Sequence, residues 1–284
     1  MTHYFKIYDN MIKCMIKIKK SMMQSLYSLV SLTTNDIVLT ILICTGINSQ
    51  KRNTFIKAFT HMCFNIILCR YLKMLFMIPL SPHLNILDYA YPSGHMFAAT
   101  SFYGTLAMES NRAWLHLATL TMLILYGQAL VFFGYHNIDD VQTAFCFAML
   151  SLFLYKNIDS IHKNIKLPLF IILSIIINMT MQPGIIPLQR IEHIWLELGL
   201  LCGIGLAQHY PISKNRFHIT TIIHSMLGGL FYLIGLGLHA TLLPFNGALA
   251  LTGLSFTFWS LTPHTRSYLQ KKLEQIGYMK TITS

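Results

Sequence analysis

Apolar runs long enough to form helices recur from about residue 34 to about residue 262, each closed by a short polar, Pro- or Gly-containing break. A helix needs about 20 residues to cross about 30 Å of hydrocarbon. On that measure the pattern predicts spans over 34–49, 57–80, 93–111, 113–134, 139–155, 167–182, 193–208, 218–240 and 243–262. Some are short, and Gly228-Gly229 interrupts one. There is no internal repeat and no low-complexity tract, and brief connections favour one bundle over an anchor carrying a soluble domain. The expected fold class is all-α, a polytopic integral membrane helical bundle.

The stretch before the first span follows a different pattern. In "FKIYDNMIKCMIKIKKSMMQSLYSLVSL" (5–32), Lys13, Lys17 and Lys20 recur near helical spacing, with Ile and Met on the other faces. This predicts a basic amphipathic segment over 1–33 lying in the membrane interface, drawn to anionic lipid; the alternative is a crossing, for which "SMMQSLYSLVSL" is short but which would put its lysines on the cytoplasmic side. The Lys-rich start lacks a small-x-small exit, so no signal-peptide cleavage site is expected.

Composition supports the membrane reading. Hydrophobic residues make up 54%, charged residues 11%, and the mean hydropathy is +0.52. The net charge of +11 falls in alternate connections: Lys51, Arg52 and Lys57, then Arg112, then Lys156, Lys163 and Lys166, then Lys214 and Arg216, then a tail with Arg266, Lys271, Lys272 and Lys280. The opposite connections hold almost only Arg190. Basic residues in short loops stay cytoplasmic, so the charge is a topology signal and not a nucleic-acid footprint. The 13 His residues form no metal-ligand motif such as H-E-x-x-H, and the six cysteines stand singly, most in apolar stretches. Neither a metal nor another cofactor is expected.

Two polar clusters carry candidate chemistry: "YAYPSGHMFA" (89–98) and "FGYHNIDDVQTAF" (133–145). The alternation puts both on the non-cytoplasmic side. From Ser93 to Asn111 is about 19 residues, or about 28 Å of helix, and the return leg to Gly134 is similar. A hairpin of two helices therefore brings His95 and His136 to one face. Asp140 follows His136 by four residues, which puts both on one helical side. Pro92 suits a helix start, and Gly94 lets backbone approach a ligand closely. With the Ser93 hydroxyl, that turn offers free N–H groups and the positive helix end to an anion. An imidazole polarised by a carboxylate, as His136 is by Asp140, makes a nucleophile or base, and His95 can supply a proton. The trio suggests attack on phosphorus by His136 and protonation of the leaving oxygen by His95, then hydrolysis of a phosphohistidine.

"YPSGH" (91–95), followed about forty residues later by "GYHNIDD" (134–140), resembles the type 2 phosphatidic acid phosphatase superfamily. The second motif of that superfamily is Pro-Ser-Gly-His, and its third ends in His, three residues, Asp. "LKMLFMIPLSP" (72–82) is similar to the first motif, with Lys73 matching the phosphate-binding lysine. The resemblance implies a catalytic helical core over 34–160 of about five to six helices, with about four further C-terminal spans and a basic tail over 161–284. It implies His136 as nucleophile, Asp140 as its orienter and His95 as acid, with Lys73, Ser93 and Gly94 holding phosphate. It also implies a lipid phosphate substrate, membrane lipids as surroundings and, from the likeness to bacterial members, an inner-membrane site facing the periplasm.

Two departures bear on activity. Where the first motif has Arg-Pro, this chain has Leu80-Ser81, and where the third has an Arg six residues before its His, it has Leu130. Each absent guanidinium would have forked onto phosphate oxygens, whereas Lys73 is a point charge. The triad without those arginines is also similar to the sphingomyelin synthase branch, and "HNIDDV" (136–141) is similar to its third motif. Three readings follow: a phosphatase for lipid monoesters or pyrophosphates, a phospho-headgroup transferase acting on diesters, and a homologue of weak activity. A transporter or scaffold is the alternative of a different class. Nearby, Asp139 reads as solvated or, with a helix start one residue away, as the partner of His136; Asp88 and His83 lie near the site and read equally well as loop solvation, and Arg70 reads as internally paired.

Overall fold

The computed structural model describes residues 17, 20–47, 49, 51–80, 84, 88–110, 112–161, 166–180, 196–202 and 204. The expected spans at 218–240 and 243–262, part of that at 193–208, most of the N-terminal segment before residue 20 and the basic tail lie outside the described residues. Within them the fold is all-helical: α1 (20–32), α2 (Asp36–Ile47), α3 (Arg52–Phe76), α4 (Gly94–Met108), α5 (Ala113–Phe132), α6 (Ile138–Ile161), α7 (Lys166–Thr180) and a helical stretch over 196–202. Among the described residues, extended pairing is confined to an isolated antiparallel bridge between Pro79 and Tyr89.

The ends of these helices have local causes. The expected span at 57–80 stops at Phe76 although the sequence stays apolar through Leu80. Met77 takes a left-handed conformation (φ 50°) and its N–H bonds Lys73 O at 2.9 Å, closing the helix just before Pro79. At the far end of α5, Gly134 has φ 73°. Its N–H bonds Val131 O and that of Tyr135 bonds Leu130 O, both at 3.0 Å. This paired closure is the one a left-handed residue just past a helix permits. The chain then turns within five residues into α6, whose first turn carries Asp139 and Asp140 at the positive helix end.

Helix α4 sits at the centre, packed on α3, α5 and α6. Small residues allow the close approach. A Cβ on Gly104 would lie 3.0 Å from Leu152 Cδ2, and one on Gly127 would lie 2.8 Å from Val141 Cγ1. One apolar cluster joins α3, α4 and α7, with Phe64 and Phe170 stacked at 4.2 Å. A second joins α4, α5 and α6 and takes in Val30 of α1. Tyr27 of α1 is buried too, its ring 5.1 Å from that of Phe132.

Polar side chains tie three helices together inside this packing. Fully buried Asn65 on α3 donates to Ser101 Oγ on α4 at 2.7 Å and accepts from Ser151 Oγ on α6 at 2.7 Å. His61, also fully buried, reaches Thr105 Oγ1 at 2.9 Å and Ser151 Oγ at 3.1 Å. Buried polar groups satisfied in this way fix the relative register of the helices that carry them.

Two helical stretches, Ala113–Phe132 and Ile138–Asn157, are long and apolar enough to cross a membrane. Large apolar side chains on both point outward, among them Trp114, Leu117 and Ile124 on α5 and Leu150, Phe153 and Leu154 on α6.

Candidate active site

The site forms where the end of α3, the start of α4 and the turn from α5 to α6 meet. Ser93 is the N-cap of α4: its Oγ accepts from Met96 N at 3.4 Å. Its own N–H donates to Asp140 O at 3.0 Å, and Tyr91 Oη reaches Thr143 Oγ1 at 3.1 Å. These bonds lock the first polar cluster onto the second. Asp140 Oδ2 accepts the Asn137 N–H at 2.9 Å, the backward half of a capping box that fixes the start of α6.

The two imidazoles face each other across this junction. The ring centroids of His95 and His136 are 6.4 Å apart, with planes inclined at 60°. His95 is exposed, whereas the His136 side chain is 6% exposed. Nδ1 of His136 lies 3.5 Å from Asp140 Oδ2, in line with a carboxylate that orients the ring from behind. That distance is longer than a formed hydrogen bond, and ligand-free catalytic sites commonly tighten on binding. Burial pushes the His136 pKa down to about 4, helped by the positive charges of Lys73 and His95 and opposed by Asp140. The ring is therefore neutral at ordinary pH and has a lone pair to offer.

Lys73, in the last turn of α3, is buried and donates its Nζ to Tyr89 O. The same Nζ is 3.5 Å from Asp88 Oδ2, and Arg70 Nη1 is 3.3 Å from that oxygen. The other Asp88 oxygen accepts the Tyr89 N–H at 2.8 Å. A cavity of about 690 Å³ opens here, and Arg70, Lys73, Asp88, Gly94, His95 and His136 all line it. Its lining also takes in apolar Ile43, Phe59, Met62 and Phe102 together with polar Thr34, Asn35, Thr40 and Glu197.

Of the six residues singled out in the sequence, five converge. His95, His136, Lys73 and Gly94 line the cavity and Asp140 backs His136. Ser93 does not reach it: the side chain is fully buried and its hydroxyl serves as the helix cap. Asp139 is exposed, and His83 lies outside the described residues. Leu80 and Leu130 both line the cavity, so the positions matched to arginines do sit at the site and present hydrocarbon there. Asp88 is the residue that sequence reasoning undervalued. Its 9% side-chain exposure and its two cations exclude simple loop solvation. A usable signal lay in the spacing of Arg70 and Lys73, three apart and hence on one helical face.

Among the described residues no group of three or more His, Cys, Asp or Glu side chains converges as a metal site. Compared with protein-family models, curated proteins and solved structures, the chain matches none.

Proposed function

We propose that this chain is a multi-pass membrane lipid phosphatase of the type 2 phosphatidic acid phosphatase kind. It hydrolyses a lipid phosphate monoester or pyrophosphate at the non-cytoplasmic face, in a bacterial inner membrane the periplasmic one. The observation that carries this reading is the 6.4 Å separation of the His95 and His136 rings, close enough for both to approach one phosphorus, with Asp140 behind one ring. The outward apolar faces of α5 and α6 are surfaces that lipid covers. The apolar part of the cavity lining, with Ile43, Phe59, Met62 and Phe102, suits hydrocarbon beside a head group.

In this reading Lys73 and the backbone N–H groups at Gly94 hold the phosphate oxygens. The His136 lone pair forms an N–P bond as the P–O bond to the lipid breaks, and His95 gives its proton to the departing oxygen. Water then attacks phosphorus, His95 takes its proton, and the N–P bond breaks to release phosphate. The basic alternation of the loops supports the non-cytoplasmic placement of both histidines.

A second reading draws on Leu80 and Leu130 in the cavity lining. A monoester carries nearly two charges at neutral pH and a diester one, so a site with fewer cations suits a diester, as in a head-group transferase. One experiment separates the two: phosphate release from lipid monoesters and pyrophosphates, run beside head-group exchange from diester lipids, with H136A as control. Release that H136A abolishes supports the phosphatase. Exchange without release supports the transferase, and the absence of both contradicts an enzyme.

A further inference from the structure

The cavity holds one guanidinium that the motif resemblance does not account for. Arg70 lies one turn before Lys73 on α3, and both line the cavity together with the two histidines. Among the described residues only one of its nitrogens, Nη1, is engaged, by a single 3.3 Å contact to Asp88 Oδ2. An arginine that neutralises a carboxylate frequently pairs with both oxygens through its fork. Here the contact is single, while Asp88 Oδ1 accepts the Tyr89 N–H and Oδ2 is shared with Lys73. The remaining N–H donors of Arg70 stay available beside Lys73. The side chain is 20% exposed, enough to meet a ligand without leaving the site.

Resting on the phosphoryl-transfer reading above, and favouring its diester form, we propose that Arg70 is the guanidinium of the head-group site, and that Asp88 is its resident anion and sets the charge the site accepts. With Leu80 and Leu130 apolar, Arg70 reaches the phosphate from α3, a different element from those that carry the two matched positions. Around the Asp88 carboxylate itself, Arg70 and Lys73 supply two positive charges against one negative, and Glu197 is a further carboxylate in the same cavity lining. A head group with one negative charge is matched, and one with two is partly repelled by Asp88. Entering phosphate takes over the Arg70 contact that Asp88 Oδ2 now holds.

The test reads binding apart from turnover. Purified protein in maltoside detergent is titrated at alkaline pH with dodecylphosphonate, which carries close to two charges and cannot be hydrolysed, and with its monomethyl ester, which carries one. Wild type is expected to bind the monomethyl ester the more tightly. R70Q weakens both by about tenfold or more, and R70K recovers part of the loss because it keeps the charge without the fork. D88N keeps an acceptor for the Tyr89 N–H, and it tightens dodecylphosphonate by about tenfold but the monomethyl ester by much less. Binding by R70Q equal to wild type, a D88N variant with an unchanged preference, or no binding by wild type overturns the proposal. A wild type that binds both probes in this pattern but releases no phosphate from any lipid would instead sink the phosphatase reading and leave this one standing.

Discussion

The rings of His95 and His136 stand 6.4 Å apart, one exposed and one nearly buried, and the buried one has a carboxylate behind it. In the proposed mechanism this asymmetry separates the roles. A ring that burial and neighbouring charge keep neutral is suited to attack, and a ring open to water is suited to exchange protons with it.

In the proposed mechanism Asp140 orients His136 and does not touch substrate. D140N therefore lowers kcat for lipid phosphate by about 100-fold or more while KM changes little. Steady-state kinetics check this. An equal rise in KM would mean that Asp140 shapes the binding site and not the nucleophile.

His95 matters in proportion to how badly the leaving group needs a proton. H95A slows the first step on an alkyl phosphate by about 100-fold, but far less on a nitrophenyl phosphate, whose leaving oxygen needs none. Pre-steady-state release of the two alcohols compares them directly. Equal losses would remove His95 from the acid role.

The His136 pKa of about 4 lies below its ordinary value of 6.5, so the folded state disfavours the protonated ring. The resulting stability is complete above about pH 6.5 and is lost as pH falls through about 4, a change of about 3 kcal/mol. Thermal unfolding in detergent between these values should fall more steeply for wild type than for H136N. Through the same pKa, the nucleophile stays competent well below pH 6. Parallel unfolding curves would contradict this environment for His136.

Gly127 sets the distance between α5 and α6, whose connecting turn carries His136. G127A places a methyl 2.8 Å from Val141 Cγ1 and is expected to cost about 1–3 kcal/mol. Thermal unfolding measures the loss. A neutral result would mean that the hairpin absorbs the added volume.

The two histidines and Asp140 were legible because local rules place them. A Pro-Ser-Gly turn starts a helix, i to i+4 spacing aligns His136 with Asp140, and two legs of matched length return to one end. The same turn marks Ser93 as a helix start and offers its hydroxyl to phosphate. The orphan N–H groups of α4 claim it first, and capping is a demand every helix makes. Likewise the end of α3 was placed four residues late, because hydropathy cannot register a left-handed residue at Met77. Arg70 and Asp88 are 18 residues apart and meet only because the chain doubles back through the Pro79–Tyr89 bridge. No periodicity in the sequence encodes that encounter. The His61–Asn65 network was equally hidden, since a lone polar residue in an apolar run does not announce its partners on two other helices.

The central claim is that His136 attacks phosphorus, and trapping the phosphoryl-enzyme tests it most directly. H95A is incubated with radiolabelled nitrophenyl phosphate, for which bond cleavage needs no acid and only the later hydrolysis is slowed, then quenched in alkali and digested. The account predicts an alkali-stable, acid-labile label on the peptide containing His136, absent from the H95A/H136A double variant. Nitrophenol release that proceeds without label on that peptide, or that persists in the double variant, would contradict it.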